Sequence, residues 1–424
     1  MKVLVVGGGG REHTLIWKLA NDSRHPELFC APGNAGTAEL ATNIPIEADQ
    51  IPALVAWSVE HRPDLVVVGP EAPLCAGLTD ALEARGIRVF GPSRAAAQLE
   101  GSKVFAKDVM VAAGVPAAQS STFTDAQEAI DFINDVGVPI VIKADGLAAG
   151  KGVTVCLTRA EAERAVREAL VEGVFGAAGR RILVEEFLEG EEVSVLALSD
   201  GKRVVLLASA QDHKRVFDGD QGPNTGGMGT YSPAPVLKPE QMPEIEREVF
   251  GRTLAELQSR GITYKGVLFA GLMMTKNGPR VLEFNCRFGD PETQVILPRI
   301  KGDLIPAFEA CIDGTLSPDM IQYKPEACVC VVMAAGGYPG PYQKGKKISG
   351  LKAVAGMAET VVFHAGTRAQ GGDVLTAGGR VLGVTAMGES LKTAVDRAYE
   401  AVAKISFEGA LFRRDIAAKA FKKK

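Results

Sequence analysis

The apolar run Val3–Val6 ends in four consecutive glycines, Gly7–Gly10, and a helical stretch, Arg11–Ala20, follows at once. A short strand that passes through glycine into a helix opens a βαβ unit. The pattern recurs as Leu65–Val68 before Pro73–Arg85, and as Ile87–Phe90 before a helix after Ser93. Strands joined by helices pair in parallel, so residues 1–120 predict an N-terminal α/β domain with a parallel sheet. At 424 residues the chain outgrows one ordinary core, and roughly two to four domains are expected.

Past a pause at Ala112–Gly114 come the helix Asp125–Asp135, the strand Pro139–Lys143, a glycine loop, the strand Val153–Cys156 and the helix Arg159–Val171. These predict a small mobile lid lobe over 121–190. Strands at Arg181–Glu185, Val193–Leu198 and Val204–Ala210 lead to a long loop, Gln211–Pro235, and loops of that length usually carry function or stay disordered. One helix from about Pro239 to Arg260, strands at Gly266–Met274 and Arg280–Asn285, and a helix at Leu304–Asp313 complete a central domain over 191–325. Strand-rich residues 326–424, with a late helix at Ser390–Ile405, read as a C-terminal α+β domain.

Hydrophobic residues at 46% and charged residues at 23% suit a globular chain able to bury its own core. A formal charge of -4 offers no overall footprint for nucleic acid or an anionic membrane, so any phosphate site is local. The N-terminal apolar run is too short for a signal peptide or a spanning helix, and a cytoplasmic location is expected. The seven cysteines contain no CxxC pair and read as reduced. Cys328 and Cys330 alternate with Val329 and Val331 in a strand, which points to core packing. The five histidines lack ligand spacing, so none is assigned to a metal.

The first glycine loop invites a dinucleotide reading and fails it. Counting G-x-G-x-x-G from Gly7 puts Glu12 at the third glycine, and counting from Gly8 puts His13 there. Binding of a phosphate and close packing of the helix both stay open. The segment Lys143–Gly152 is no P-loop either, because Asp145 stands at the first glycine and Gly152 at the Ser/Thr. A glycine turn between two strands, with Lys143 ahead of it and Gly150, Lys151 and Gly152 in it, suits a flap over ATP phosphates; a plain hairpin is the alternative. The cluster from Asp212 and Arg215 to Gly229, Asn224 included, combines charge with flexible backbone and suits a loop that closes over a reactive species.

Glu283 and Asn285 end a strand two residues apart, so their side chains share a face. Two hard oxygen donors pointing one way suit Mg²⁺ (or Mn²⁺). Arg287 follows, positioned to neutralise a transferring phosphoryl group, and Asp290 is positioned to hold an amine. Glu185-Glu186-Phe187-Leu188 ends another strand and turns towards Glu192. Such a hinge can offer its backbone to adenine and a carboxylate to ribose.

In this order the segments resemble the glycinamide ribonucleotide synthetase family of the ATP-grasp superfamily. The resemblance runs through VLVVGGGGREHTL, GPEAPL at Gly69–Leu74, FGPS at Phe90–Ser93, KADGLAAGKGV at Lys143–Val153 and EEFLEGEEVS at Glu185–Ser194. It continues through QDHKR at Gln211–Arg215, GPNTGGMGTYSP at Gly222–Pro233, LEFNCRFGDPETQ at Leu282–Gln294, FHAGT, TAGGRVL and FRRDIA at Phe412–Ala417. Gly8, Thr14 and Phe412 stand where members often carry serine, alanine and tyrosine. No charged or metal-binding group is lost by those departures.

The resemblance implies an ATP-dependent carbon-nitrogen ligase of purine biosynthesis that joins glycine to 5-phosphoribosylamine through an acyl phosphate. It further implies adenine against Glu185, Glu186, Phe187 and Leu188, ribose on Glu192, and phosphates near Lys107, Lys143, Arg215 and Asn224. Metal would sit on Glu283 and Asn285, Arg287 would carry charge, and Asp212 would hold the glycine ammonium. Phosphoribosylamine would meet Gly10, Arg11, Glu71, Asp290 and Arg380. The partners expected are small molecules, with the chain a monomer or a dimer. Other ATP-grasp ligases, a nicotinamide dehydrogenase and a non-catalytic nucleotide sensor are the rival readings.

Overall fold

The computed structural model describes residues 1–147 and 152–421. Five parallel strands form the first sheet, in the order Thr42–Asn43, Glu27–Pro32, Lys2–Gly7, Leu65–Val68, Val89–Phe90. Side chains alternate across it: Leu4, Val6, Val66 and Val68 enter one core, while Val3, Val5, Leu65 and Val67 enter another. Both faces are buried, as an all-parallel sheet requires.

Four antiparallel strands, Val204–Leu206, Glu191–Asp200, Lys265–Thr275 and Gly278–Asn285, make the central sheet. It packs into the same two cores, with Val193, Val195 and Ala197 in the first and Leu196 and Leu198 in the second. The N-terminal and central sheets therefore form one body. Phe90 from the first sheet stacks on Phe308 at 3.9 Å, and Phe288 packs against both rings. That contact anchors the segment leaving the central sheet.

The lid is a separate antiparallel sheet, Ser120–Phe123, Ile182–Glu186, Ile140–Ala144, Val153–Cys156, with its own apolar cluster around Ile133, Ile142, Val166 and Val184. Its two helices start on side-chain caps. The Asp125 side chain accepts the Gln127 and Glu128 amides, and Thr158 forms a capping box with Glu161.

Three expectations change. The helix expected over Pro73–Arg85 is two, Glu71–Cys75 and Leu78–Glu83, because Gly77 between them is left-handed with φ at +92°. The helix from Pro239 towards Arg260 contains a π-helical stretch, Glu246–Gly251. The expected loop Gln211–Pro235 contains four short strands. Arg215–Phe217 and Gln221–Asn224 form a ribbon, while Gln211–Asp212 and Gly229–Ser232 join a sheet with Ala327–Ala334, Arg380–Gly388 and Thr360–His364. Register pairs Thr230 with Cys330 and Ser232 with Cys328, and both cysteines are fully buried. These strands have too few residues for a period-two pattern, and Ala327–Ala334, the distant partner of Gly229–Ser232, lies about a hundred positions away. Among the described residues no helix is long and apolar enough to cross a membrane.

His13, on the helix Gly10–Ala20, accepts the His364 amide at 2.7 Å through Nδ1, while Asn34 donates to the His364 carbonyl at 2.8 Å. The two imidazoles meet edge to face at 5.5 Å and close the joint between the N- and C-terminal regions. Burial holds His13 down at about 3, with the His364 charge adding to it, and burial holds His364 at about 4. The unfolded chain takes up these protons near pH 6.5 and the folded chain does not, so acid favours unfolding. The melting temperature should therefore fall as pH drops from 6.5 to 5, with little change from 8 to 7. In a His13→Gln chain followed by calorimetry, that dependence should flatten.

Candidate functional site

The lid meets the body at a carboxylate between two ammonium groups. Glu185 lies one residue before the end of the lid strand Ile182–Glu186, and its Oε1 and Oε2 pair with Lys107 Nζ at 2.9 Å and Lys143 Nζ at 2.7 Å. The three are at most 6% exposed. Lys143 comes from the neighbouring lid strand, whereas Lys107 comes from the helix Lys103–Ala112. Lys143 also donates to the Leu282 carbonyl at 2.8 Å. That carbonyl is available because a β-bulge leaves Leu282 out of the ladder, Gly271 pairing with Glu283 and Leu272 with Val281.

Beyond the bulge, Glu283 lies among cations. Burial alone would push its carboxyl up, but Lys214, Lys143, Lys103 and Arg287 hold it below the usual range. Asn285 Oδ1 accepts from Arg287 Nη2 at 3.1 Å. Arg287 reaches Glu71 Oε2 from Nε at 3.1 Å and Glu100 Oε1 from Nη2 at 2.9 Å. Burial would raise Glu71, yet Arg287 and Arg11 hold it low.

Three residues on, Asp290 accepts the Arg11 amide at 3.3 Å and the Gln294 side chain at 2.8 Å, and Arg380 Nη1 approaches it at 3.4 Å. Arg380 is fixed by the carbonyls of Asp290 and Gly226 at 2.6 and 2.7 Å. Gly10 abuts Gln294, whose Nε2 a Cβ would meet at 2.5 Å. Arg11 pairs with Glu12 at 2.5 Å and donates to the Phe288 carbonyl at 3.0 Å. The glycines around Glu12 have a steric cause. The Gly9 amide donates to Glu12 at 2.6 Å, and a Cβ on Gly69 would come within 2.0 Å of Glu12 Oε1. Gly7, Gly9 and Gly69 leave room for Glu12, while Gly10 faces Gln294 and Asp290 instead.

Arg215 and Asn224 face each other across the ribbon, with the Arg215 guanidinium donating to the Gly222 carbonyl at 2.7 Å. Lys214, next to Arg215, is the cation whose charge reaches Glu283, and it pairs with Glu192 at 2.8 Å. Asp212 stands near Glu292, a buried carboxylate that accepts from Ser194 at 2.9 Å, and burial together with the Glu292 charge pushes Asp212 well up. Glu186 binds the Gln119 amide at 2.9 Å, and Phe187 and Leu188 are half-buried beside it. Gly152 accepts the Ala144 amide at 2.8 Å, while Gly150 and Lys151 lie outside the described residues.

One region thus gathers Lys107, Lys143 and Glu185; a second joins Glu71, Asn285 and Arg287; a third joins Arg11, Asp290 and Arg380. Lys103, Lys214, Glu100 and Glu292 complete them and were absent from the sequence-derived set. Lys214 and Glu292 lie inside motifs already singled out, so adjacency to Arg215 and Asp290 is a usable signal. Glu100 has none, since its role arises from contact with residues 186 positions away.

Glu283 and Asn285 fit a Mg²⁺ site, for they offer an ionised carboxylate and an amide oxygen at one strand end, and this ion takes its remaining ligands from phosphate and water. Among the described residues no group of three or more His, Cys, Asp or Glu is placed to hold a metal ion.

A four-stranded lid closing lysines onto a central sheet that ends in Glu-x-Asn defines an ATP-grasp enzyme. Family models for phosphoribosylglycinamide synthetase match in order: the N domain over 1–100, the ATP-grasp (A) domain over 101–293 and the C domain over 328–419. The chain belongs to the phosphoribosylglycinamide synthetase family. The phosphoribosylamine--glycine ligase of Synechocystis sp. is 51% identical over 99% of this chain and 100% of its own length. That of Rhizobium meliloti is 51% identical over 98% of each. A crystal structure of the Thermotoga maritima phosphoribosylamine--glycine ligase superposes with a TM-score of 0.86 at 35% identity, covering 98% of this chain and all of that one. The biotin carboxylase domain of Hydrogenobacter thermophilus 2-oxoglutarate carboxylase shares the fold, with a TM-score of 0.75 at 20% identity over 97% and 91% of the two chains.

Replacing Glu185 by glutamine leaves two buried ammonium groups without their anion. Glu185→Gln should cost about 3–5 kcal/mol of stability in denaturant titration, because breaking a buried ion pair exposes the desolvation of what remains.

Proposed function

We propose that the chain joins glycine to 5-phosphoribosylamine, converting ATP to ADP and phosphate through glycyl phosphate, in purine biosynthesis. The observation that carries this reading is the run from Glu283 to Glu292. Its start faces Lys143 of the lid together with Lys103 and Lys214, Arg287 stands at its middle, and Asp290 meets Arg11 and Arg380 near its end. Groups suited to phosphates and groups suited to an amine and a sugar phosphate are thereby held on successive residues of one segment.

The reaction opposes two anions, since a glycine carboxylate oxygen attacks the terminal phosphorus of ATP. Lys143, Lys107, Lys214 and Arg287 supply fixed positive charge there, and Arg215 and Asn224 extend the site along the ribbon. Mg²⁺ on Glu283 and Asn285, when bound, adds neutralisation of the phosphate oxygens. The carboxylate pair Asp212 and Glu292 suits the glycine ammonium, because a cation between them relieves the repulsion that raises Asp212. Adenine is assigned to the hinge Glu185–Leu188 and ribose to Glu192. Gly10, Arg11, Glu71, Asp290 and Arg380 are assigned to phosphoribosylamine. Its amine attacks the glycyl carbonyl, and phosphate leaves with one oxygen from glycine. The lid with Gly150, Lys151 and Gly152 is assigned to keeping water from the acyl phosphate. Seven unpaired cysteines agree with a reducing, cytoplasmic setting.

Glycine labelled with ¹⁸O in its carboxylate should give released phosphate carrying one label; unlabelled phosphate would exclude the acyl phosphate. Replacement of Glu283 by alanine should lower kcat by about 10²–10³-fold or more, the scale of removing one charge-stabilising group. ADP formation that ignores phosphoribosylamine would point to a different acceptor.

A further inference from the structure

Arg287 has two carboxylate partners, and they are not equivalent. Glu71 approaches Nε at 3.1 Å with its side chain 32% exposed, whereas Glu100 approaches Nη2 at 2.9 Å with its side chain 9% exposed. The second oxygen of Glu100 accepts the Cys286 amide at 2.7 Å. That amide lies between Asn285 and Arg287, at the point where the central strand ends. Glu100 itself belongs to the short helix Gln98–Gly101, whose Leu99 is buried in the core shared by the first and central sheets. With both oxygens engaged and its helix anchored, this carboxylate cannot swing. Glu71 sits at the first turn of another helix, facing the region of Arg11.

We propose that Glu100 is the positioning residue for Arg287: it fixes the backbone between Asn285 and the arginine and aims the guanidinium, leaving Glu71 as the exchangeable partner that turns to substrate. This rests on the proposed reaction, in which Arg287 faces the transferring phosphoryl group. A charge-assisted bond of this kind gains strength away from water and keeps its geometry when the other partner leaves. Without the Glu100 carboxylate, the Cys286 amide loses its acceptor, and the guanidinium keeps only the more exposed Glu71, Asn285 Oδ1 and the Phe288 carbonyl. Misplacement by about 1 Å is enough to cost roughly 10²-fold in rate.

The test uses the full chain carrying Glu100→Gln, with Glu100→Asp as the alternative should the amide variant not fold. The guanidinium N–H resonances of Arg287, assigned by their loss in Arg287→Lys, should be resolved in the wild type and in Glu71→Gln and broadened in the Glu100 variants. In turnover, Glu100→Gln should lower kcat by about 10–100-fold with KM for ATP and phosphoribosylamine moving less than about 3-fold, while Glu71→Gln should chiefly raise KM for phosphoribosylamine. Added to Arg287→Lys, Glu100→Gln should cost less than about 2-fold more. An unchanged Arg287 signal, or a loss that multiplies fully with that of Arg287→Lys, would overturn the proposal. A wild-type chain that does not consume glycine and phosphoribosylamine would overturn the functional reading alone, since the resonances would still decide the role of Glu100.

Discussion

The contact on which the site depends is Glu185 between Lys107 and Lys143. Like charges in a buried setting repel by several kcal/mol at contact distance, and neither lysine would stay there without the carboxylate. The triad carries a net charge of one, from two cations and one anion, and that charge is displayed where the lid sheet, the helix Lys103–Ala112 and the Leu282 bulge converge. On the proposed assignment, a polyanion arriving there would meet groups already desolvated and oriented.

From that point outward the molecule alternates sign in short steps. Glu283 is surrounded by lysines, Arg287 by carboxylates, and Asp290 by Arg11 and Arg380. Each charge is held by opposites drawn from different parts of the chain. The chemistry of the family needs charges that stay ionised in a closed site, and this pattern keeps them so without relying on solvent.

Much of this was legible in the sequence. Val3–Val6 and Leu65–Val68 read as parallel strands because each short apolar run passes through a turn into a helix. Glu283 and Asn285 could be set on one face from the period of two alone. The ribbon around Arg215 and the strand Gly229–Ser232 were not legible, because two to four residues carry no periodicity, and Gly229–Ser232 is defined by its distant pairing with Ala327–Ala334. Gly77 splits a helix that apolar spacing presents as continuous. At Gly7–Gly10 the Glu12 carboxylate packed beneath the loop is visible only once Gly69 is brought alongside.

The strand Gly229–Ser232 has a wider meaning. The polypeptide leaves the central sheet, lends two strands to a sheet whose other members lie beyond residue 327, and returns to build Lys265–Thr275. The last hundred residues are thus stitched into the middle of the chain instead of being appended to it. Cutting the chain between the two stretches would part Gly229–Ser232 from Ala327–Ala334 and bare a strand edge on each piece.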